Sequence, residues 1–117
     1  MQTQLFVNGE YRDAKGGKRF KTITPANEEV LAEVSLAGAD DLEDAVQAAR
    51  AAYESGPWAK MQPHQRGEVV WKFGELIKTK YLAELADIET ADTGKTLFDS
   101  GKVEIPFAAD LYQYYAG

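Results

Sequence analysis

Few side chains in this chain could carry out covalent or acid–base chemistry. His64 is the only histidine, and the absence of cysteine excludes a thiolate nucleophile, a disulfide framework and a cysteine-based metal site. A histidine that acts as a general base needs a positioned partner, and none can be assigned to His64 at the polar start of a predicted helix. We therefore interpret His64 as an exposed and structurally neutral residue.

The segment Gly94-Lys95-Thr96 is similar to the end of a phosphate-binding loop. The full pattern, G-x-x-x-x-G-K-[ST], requires a glycine where this chain has Glu89, and it follows a strand where this sequence predicts a helix. We reject that interpretation. The dinucleotide pattern G-x-G-x-x-G is also absent, so this stretch lacks that cofactor-binding fingerprint.

Several carboxylates stand at points where a helix or a turn begins or ends. The neighbouring pairs Asp40-Asp41 and Glu28-Glu29 lie on a helix start and a turn, which indicates solvated groups and not a catalytic pair. Glu104 lies at another predicted helix start, where it would complement the helix dipole. Asp92 lies just before Gly94, where it could cap the helix or bind a cation together with nearby carbonyl oxygens. The pattern favours capping.

Composition and charge narrow the class of protein. Hydrophobic residues make up 44% and charged residues 27% of the 117 residues, as in a globular protein of one domain. The net charge of -6 argues against nucleic-acid and membrane partners, and the aromatic residues lack the basic neighbours of a base-stacking surface. No leader peptide and no apolar run of about 18 residues is visible. We predict a soluble, cytoplasmic protein.

Residues 1–36 predict two β-hairpins. Asn8-Gly9 between apolar pairs is typical of a type I′ turn, because both residues accept positive φ. A second pair joins Phe20–Thr24 to Val30–Val34 around Pro25. Two-stranded sheets of this size need a partner surface to be stable.

Residues 37–117 predict about four α-helices, so the fold class is α+β. Asp40 and Glu43 form a capping-box pattern at the start of the first helix, and Gly56-Pro57 ends it. The second helix begins near Pro63. Its predicted buried stripe consists of Val69, Val70, Phe73, Leu76 and Ile77.

The third and fourth predicted helices are separated by a segment that begins at Gly94. Lys78–Lys80 separates the second helix from a third, which begins at Tyr81 and ends at a left-handed Gly94 cap. The fourth covers Val103–Gly117 and is rich in aromatic residues.

Six short motifs follow one another along the chain. They are Leu5–Tyr11 (LFVNGEY), Thr24–Val30 (TPANEEV), Ala45–Trp58 (an alanine-rich helix ending in GPW), Arg66–Ile77 (RG and LI), Glu89–Lys95 (ETADTGK) and Tyr114–Gly117 (YYAG). In this order and spacing they resemble the N-terminal portion of the NAD(P)-dependent aldehyde dehydrogenase superfamily. Each motif alone has low specificity, and the resemblance rests on their order over essentially the whole chain.

The resemblance implies that residues 1–117 form an incomplete N-terminal segment of a cofactor-binding domain, a peripheral part of a larger α/β fold. Members of the family oxidise aldehydes to carboxylic acids with a cysteine thiolate, a glutamate-activated water, an oxyanion-binding asparagine and NAD or NADP. In the family these groups follow the YYAG motif. The resemblance therefore implies no catalytic or cofactor-binding residue here, no cofactor for the isolated chain, and a homo-oligomer for the complete enzyme.

Two lesser sites follow from the resemblance. A monovalent cation site for K+ or Na+ would use backbone oxygens of Thr22 and Ile23 and the carboxylate of Asp92, with a further ligand from beyond this chain. A substrate tunnel would be lined by Phe107, with Glu104 near its mouth. The sequence departs from the family pattern at Thr24, where asparagine is common, and the strand ligands of the cation are backbone atoms that this change leaves in place.

Two other interpretations remain open at this point. The chain could be a stand-alone binding or oligomerisation module that presents the apolar faces of the Val69 and Phe107 helices to a partner. It could also be a decayed or cut reading frame without function. The apolar ending at Tyr114–Gly117 favours a fragment, because termini are usually polar and loosely held. A module should fold cooperatively, whereas a fragment should aggregate or stay molten.

Overall fold

The computed structural model describes all residues from Met1 to Gly117. They form two compact units. The first, which we call the hairpin unit, comprises Met1–Ile23 and Glu29–Lys60. The second, the helical unit, comprises Thr24–Glu28 and Met61–Gly117. Two antiparallel hairpins and a set of helices confirm the predicted α+β class.

The first hairpin pairs β1 (Leu5–Val7) with β2 (Glu10–Arg12). Asn8 and Gly9 have φ values of 53° and 84°, so both adopt the positive φ that a type I′ turn requires. Phe6 stands opposite Tyr11, and their ring centroids lie 4.9 Å apart as a cross-strand aromatic pair. The predicted hairpin is confirmed.

The second hairpin pairs β3 (Arg19–Ile23) with β4 (Val30–Ser35). The register shifts between Thr22, which faces Ala32, and Ile23, which faces Val30, so one extra residue of β4 forms a bulge. Strand β3 ends one residue before the predicted Thr24, because the N–H of Glu28 donates to the Thr24 carbonyl and draws Thr24 into the turn.

Helix α1 spans Ala39–Ser55, and Gly38 is its N-cap residue. The predicted Asp40 cap is wrong. The carboxylate of Asp41, at the third helical position, accepts the backbone N–H of Gly38 at 3.0 Å, which is the reverse half of a capping box. The helix begins two residues earlier than an Asp40 cap would place it, because Asp41 caps Gly38 and also binds groups from the first hairpin. A short helix α2, Pro57–Lys60, follows.

Helix α3 spans Pro63–Leu76 and begins with proline at its first position, as predicted. The predicted break at Lys78–Lys80 is wrong. The chain continues through a first π-helical turn, Ile77–Tyr81, directly into helix α4, Leu82–Thr93. A π turn accommodates an extra residue without ending the helix, so the shift of apolar register does not require a loop.

Helix α4 ends where it was predicted to end. Gly94 has φ of 77°, the left-handed conformation of a helix cap, and its N–H donates to the Thr90 carbonyl. A Cβ on Gly94 would lie 2.6 Å from Cγ of Pro25, so both the backbone conformation and the close contact require glycine. Pro25 and Gly94 belong to the same unit, and this contact holds the turn Thr24–Glu28 against the end of α4.

A second π-helical turn, Asp99–Glu104, leads into helix α5, Ile105–Tyr115. The helical segment begins at Leu97, six residues before the predicted Val103. Helices α3 and α5 approach each other through small residues. A Cβ on Gly67 would lie 2.4 Å from the Ala116 carbonyl oxygen, and one on Gly74 would lie 2.7 Å from that of Ala109.

The predicted buried stripe of α3 is only partly right. Val70 and Ile77 are half-buried, whereas Val69, Phe73 and Leu76 are exposed. The glycine side of α3 lies nearest to α5, because only glycine allows the two backbones to approach this closely. Phe73 also contacts α5, where its ring lies 4.7 Å from that of Tyr112 in an edge arrangement.

Very little apolar side-chain volume is buried in this chain. The buried hydrophobic residues are three alanines: Ala14, Ala86 and Ala109. Most of the large apolar side chains are exposed, including those of the two tryptophans. Apolar surface marks contact regions in soluble proteins where it forms a contiguous patch. None of the helices is long and apolar enough to cross a membrane.

Candidate functional site

Three charged side chains of the helical unit meet beside the second π turn. The ammonium of Lys95 donates to Oε2 of Glu104 at 2.7 Å and to Oε1 of Glu89 at 3.1 Å. We call Glu89, Lys95 and Glu104 the Lys95 cluster. The hydrogen bond to Glu104, followed by that to Glu89, raises the pKa of Lys95 above its ordinary value. The cluster is partly solvated, so it fixes geometry more than it adds stability.

The loop that carries Lys95 is fastened by a second set of polar contacts. The hydroxyl of Thr96 donates to the Asp99 carboxylate at 2.8 Å and accepts the Asp99 backbone N–H at 3.1 Å, so Thr96 caps the following helical turn. Thr90 donates to the fully buried hydroxyl of Ser100 at 3.0 Å. These bonds place the Lys95 backbone between the end of α4 and the second π turn.

The structure also explains why Gly94-Lys95-Thr96 is not a phosphate-binding loop. Helix α4 precedes it where the pattern requires a strand, and the lysine and threonine side chains are engaged with carboxylates. The rejection made from the sequence agrees with this arrangement.

The two residues assigned to a substrate tunnel lie close together in sequence and differ in their surroundings. Glu104 ends the second π turn and is held by Lys95. Phe107 lies three residues later, in the first turn of α5, and is 60% exposed. Residues three apart on a helix share a face, so an aromatic ring and a bound carboxylate neighbour each other here. Sequence analysis missed the partner of Glu104, because Lys95 is nine residues away and no helical spacing relates them.

The residues assigned to a cation lie in different units. In the hairpin unit, the register shift between Thr22 and Ile23 interrupts the β3–β4 ladder, and the buried hydroxyl of Thr22 has no hydrogen-bond partner. Hydroxyl and carbonyl oxygens suit a hard cation, so the donor chemistry fits the predicted ion.

In the helical unit, Asp92 lies exposed in the last turn of α4. Its side chain makes no hydrogen bond or ion pair, so the capping role that the pattern favoured is wrong. The backbone N–H of Gly94 closes the helix, and Thr93 bonds the Glu89 carbonyl. No group of three or more histidine, cysteine or carboxylate side chains could hold a metal ion. The cation site at Thr22, Ile23 and Asp92 stays a prediction.

His64 lies in the first turn of α3 and is exposed, without a hydrogen-bonded or ionic partner. This agrees with the interpretation of His64 as a structurally neutral residue, because a general base requires a group that orients it.

A buried carboxylate of the hairpin unit was missed by sequence analysis. Asp41 is only 2% exposed and binds the guanidinium of Arg12 at 2.7 Å and the backbone N–H groups of Lys15 at 3.1 Å and Gly38 at 3.0 Å. Asp44 binds Arg12 at 3.1 Å and the Lys15 ammonium at 2.8 Å. The prediction that Asp41 is a solvated carboxylate is therefore wrong.

These contacts also explain the ionisation of Asp41. The hydrogen bond from the Gly38 N–H contributes most to lowering the pKa of Asp41, and those from Lys15 and Arg12 act in the same direction against burial, which would raise it. Because the carboxylate accepts bonds from three residues, it joins the hairpin to helix α1 and is not free for catalysis.

Comparison with known proteins adds an independent line of evidence. The model of the aldehyde dehydrogenase family matches residues 11–117. A mitochondrial aldehyde dehydrogenase of Arabidopsis thaliana, family 2 member B4, is 44% identical over 98% of this chain and 21% of its own length. A betaine aldehyde dehydrogenase of Bacillus subtilis is 41% identical over all of this chain and 24% of its own length.

Solved structures of the same family are similar to this chain in fold. The NAD+ complex of an aldehyde dehydrogenase from Bacillus cereus aligns with a TM-score of 0.96 and 42% identity, covering all of this chain and 24% of that chain. The matched stretch is an N-terminal portion of these relatives. The 117 residues thus span about a fifth to a quarter of the length of the proteins they match.

Proposed function

The chain belongs to the aldehyde dehydrogenase family, and we propose that it acts as the N-terminal part of an enzyme that oxidises an aldehyde to a carboxylic acid with NAD or NADP. The observation that carries this proposal is the similarity along the whole chain, at 42% identity and a TM-score of 0.96, to an enzyme about four times its length. Because the similarity is this extensive, we infer that the chain occupies the same position within a larger fold.

In this proposal the chain supplies scaffold and substrate access, and other residues perform the reaction. It contains no cysteine for the thiolate that attacks the aldehyde carbonyl. NAD or NADP, when bound by the complete enzyme, accepts the hydride. The isolated chain would accordingly bind no cofactor and turn over no aldehyde.

Helix α5 supports an access role. It turns Ala109, which is 0% exposed, toward α3 and presents Phe107, Leu111 and Tyr114 outward. An amphipathic helix normally buries its large apolar side chains, so this arrangement favours a further surface or a ligand that covers them. We assign Phe107 to the wall of the substrate tunnel and Glu104 to its mouth.

We also propose a monovalent cation, K+ or Na+, bound by the backbone oxygens of Thr22 and Ile23 and by Asp92. The interrupted ladder at Thr22, its partnerless hydroxyl and the unpaired Asp92 carboxylate support the assignment. The complete enzyme would be a cytoplasmic homo-oligomer.

The proposal can be tested with a chimera. Residues 1–117 replace the matched segment of the Bacillus cereus enzyme, and NADH formation from an aldehyde is measured for the chimera and for this chain alone. We expect turnover by the chimera, none by the chain alone, and no shift of the chain's melting temperature with NAD+. A folded but inactive chimera, or turnover by the chain alone, would contradict the proposal.

A second candidate is a stand-alone binding or oligomerisation module. The outward apolar face of α5 favours it as well, because such a face also suits a protein partner. The native mass separates the two candidates. A mass several times the 12.9 kDa of this chain supports the enzyme, whereas a matching mass with cooperative unfolding supports the module.

A further inference from the structure

We propose that Lys95 is a positioning residue that pairs with the carboxylate of Glu104 at the tunnel mouth and thereby lowers the preference of the enzyme for cationic over uncharged aldehydes. This inference rests on the proposed function, from which it takes the placement of Glu104 and Phe107. It adds to that function a class of aldehyde and the residue that determines how well this class is accepted.

The geometry of the Lys95 cluster carries the inference. The ammonium lies 2.7 Å from Glu104 and 3.1 Å from Glu89, and these carboxylates come from the second π turn and from α4. A lysine held from two sides has less freedom to swing away than one with a single partner. The carboxylate of Glu104 is therefore paired within the protein before any substrate arrives.

The backbone beneath Lys95 is also restrained. The Thr96–Asp99 cap and the bond from Thr90 to buried Ser100 fasten the chain on the C-terminal side of the lysine. The contact of Gly94 with Pro25 fastens it on the N-terminal side. Because both neighbours of Lys95 are held, the backbone from which its side chain reaches Glu104 keeps one position, which a selective contact requires.

Without its lysine, the same site would attract cations. A free carboxylate three residues from an exposed phenylalanine combines the two features that bind an ammonium group, opposite charge and an aromatic face. With Lys95 in place, its ammonium neutralises one of the two carboxylates of the Lys95 cluster, so the site attracts a cation less strongly than it would without the lysine. Lys95 thus discriminates against a cation by occupying the group that would bind it.

The test uses the chimera with the Bacillus cereus enzyme and two aldehydes of equal shape. Betaine aldehyde carries a trimethylammonium group, and tert-butylacetaldehyde is its uncharged isostere. Lys95→Met should raise the ratio of kcat/KM for the cationic over the uncharged aldehyde by about threefold to tenfold, the range expected for a partly exposed charge contact. The change should lie mainly in KM.

Matched variants show whether the effect comes from the contact. Lys95→Arg should retain the original ratio, and adding Glu104→Gln to Lys95→Met should restore it. Lys102→Met removes an exposed lysine of the same π turn that has no ionic partner, and should leave the ratio unchanged. An unchanged ratio for Lys95→Met in an active chimera would overturn the role of Lys95 and leave the proposed function standing.

A second measurement does not depend on activity. In the folded chimera, Glu104→Gln should lower the pKa of the Lys95 ammonium toward its ordinary 10.5, followed by NMR of the lysine side chain. No change would show that the pair does not form and would overturn the inference. A folded chimera inactive with both aldehydes would overturn the proposed function, and this inference with it.

Discussion

The two units of this chain hold their helices by different physical means. In the hairpin unit, helix α1 is joined to the first hairpin by Asp41, whose carboxylate accepts hydrogen bonds from Arg12, Lys15 and Gly38. In the helical unit, α3 and α5 meet where Gly74 lies against the Ala109 carbonyl, so that the two backbones approach closely. One contact is polar and directional, and the other depends on shape.

The difference determines what each unit tolerates. A carboxylate that binds several donors depends on its charge, so pH and loss of that charge should affect it. A close backbone contact depends on volume and should respond to any added atom. Neither unit buries a large apolar side chain. These local contacts therefore contribute a larger share of the stability of this chain than they would in a domain with an ordinary core.

The largest effect should follow a change of volume at Gly74. Gly74→Leu would place side-chain atoms where a Cβ alone already meets the Ala109 oxygen at 2.7 Å and Cγ of Gln113 at 2.9 Å. We expect the free energy of unfolding of the helical unit to fall by about 3 kcal/mol or more, measured by urea denaturation. Gly16→Leu is the matched control, because no atom lies within 4 Å of a Cβ there. Equal losses would show that the close contact is not important.

A smaller and more local effect should follow loss of charge at Asp41. Asp41→Asn removes the ion pair with Arg12 and weakens two backbone hydrogen bonds, so the hairpin unit should lose several degrees in melting temperature. Hydrogen exchange should become faster in the hairpin unit and stay unchanged in the helical unit. Asp40→Asn alters the exposed neighbour and should have little effect. A result in which both variants melt alike would refute the role of Asp41.

The smallest effect should come from acid. The pKa of Asp41 is lowered in the folded chain, so its stabilising contribution is present above the ordinary value of 3.8 and is lost as pH falls through the lower folded value. The difference in melting temperature between the native chain and Asp41→Asn should therefore be constant near neutral pH and shrink below about pH 4. A difference that persists at the lowest pH at which the chain folds would contradict this assignment.

Local patterns in the sequence were sufficient to predict where several elements begin or end. The turn at Asn8-Gly9, the start of α3 at Pro63 and the cap at Gly94 each depend on the conformational preference of one or two residues. Such preferences act wherever the residue stands, so they can be read without knowledge of the fold. The rejection of a phosphate-binding loop around Lys95 belongs to the same class, because it needed only a helix before Gly94.

The features that the sequence did not predict depend on contacts between residues that are distant along the chain. Asp40 and Asp41 are equivalent in any local pattern, and only Arg12 and Lys15 distinguish them. Likewise, the pairing of Lys95 with Glu104 spans nine residues and no helical period.

The sequence by itself therefore determined the α+β class, the first turn, the start of α3, the end of α4 and the family resemblance, since these depend on local preferences and motif order. The tertiary structure decided which carboxylate is buried, that α3 continues through a π turn into α4, and that α5 turns its alanines inward and Phe107 outward. The physical reason is that packing depends on which backbones can approach each other. At Gly67 and Gly74 that approach overrides the hydrophobic periodicity of the helices.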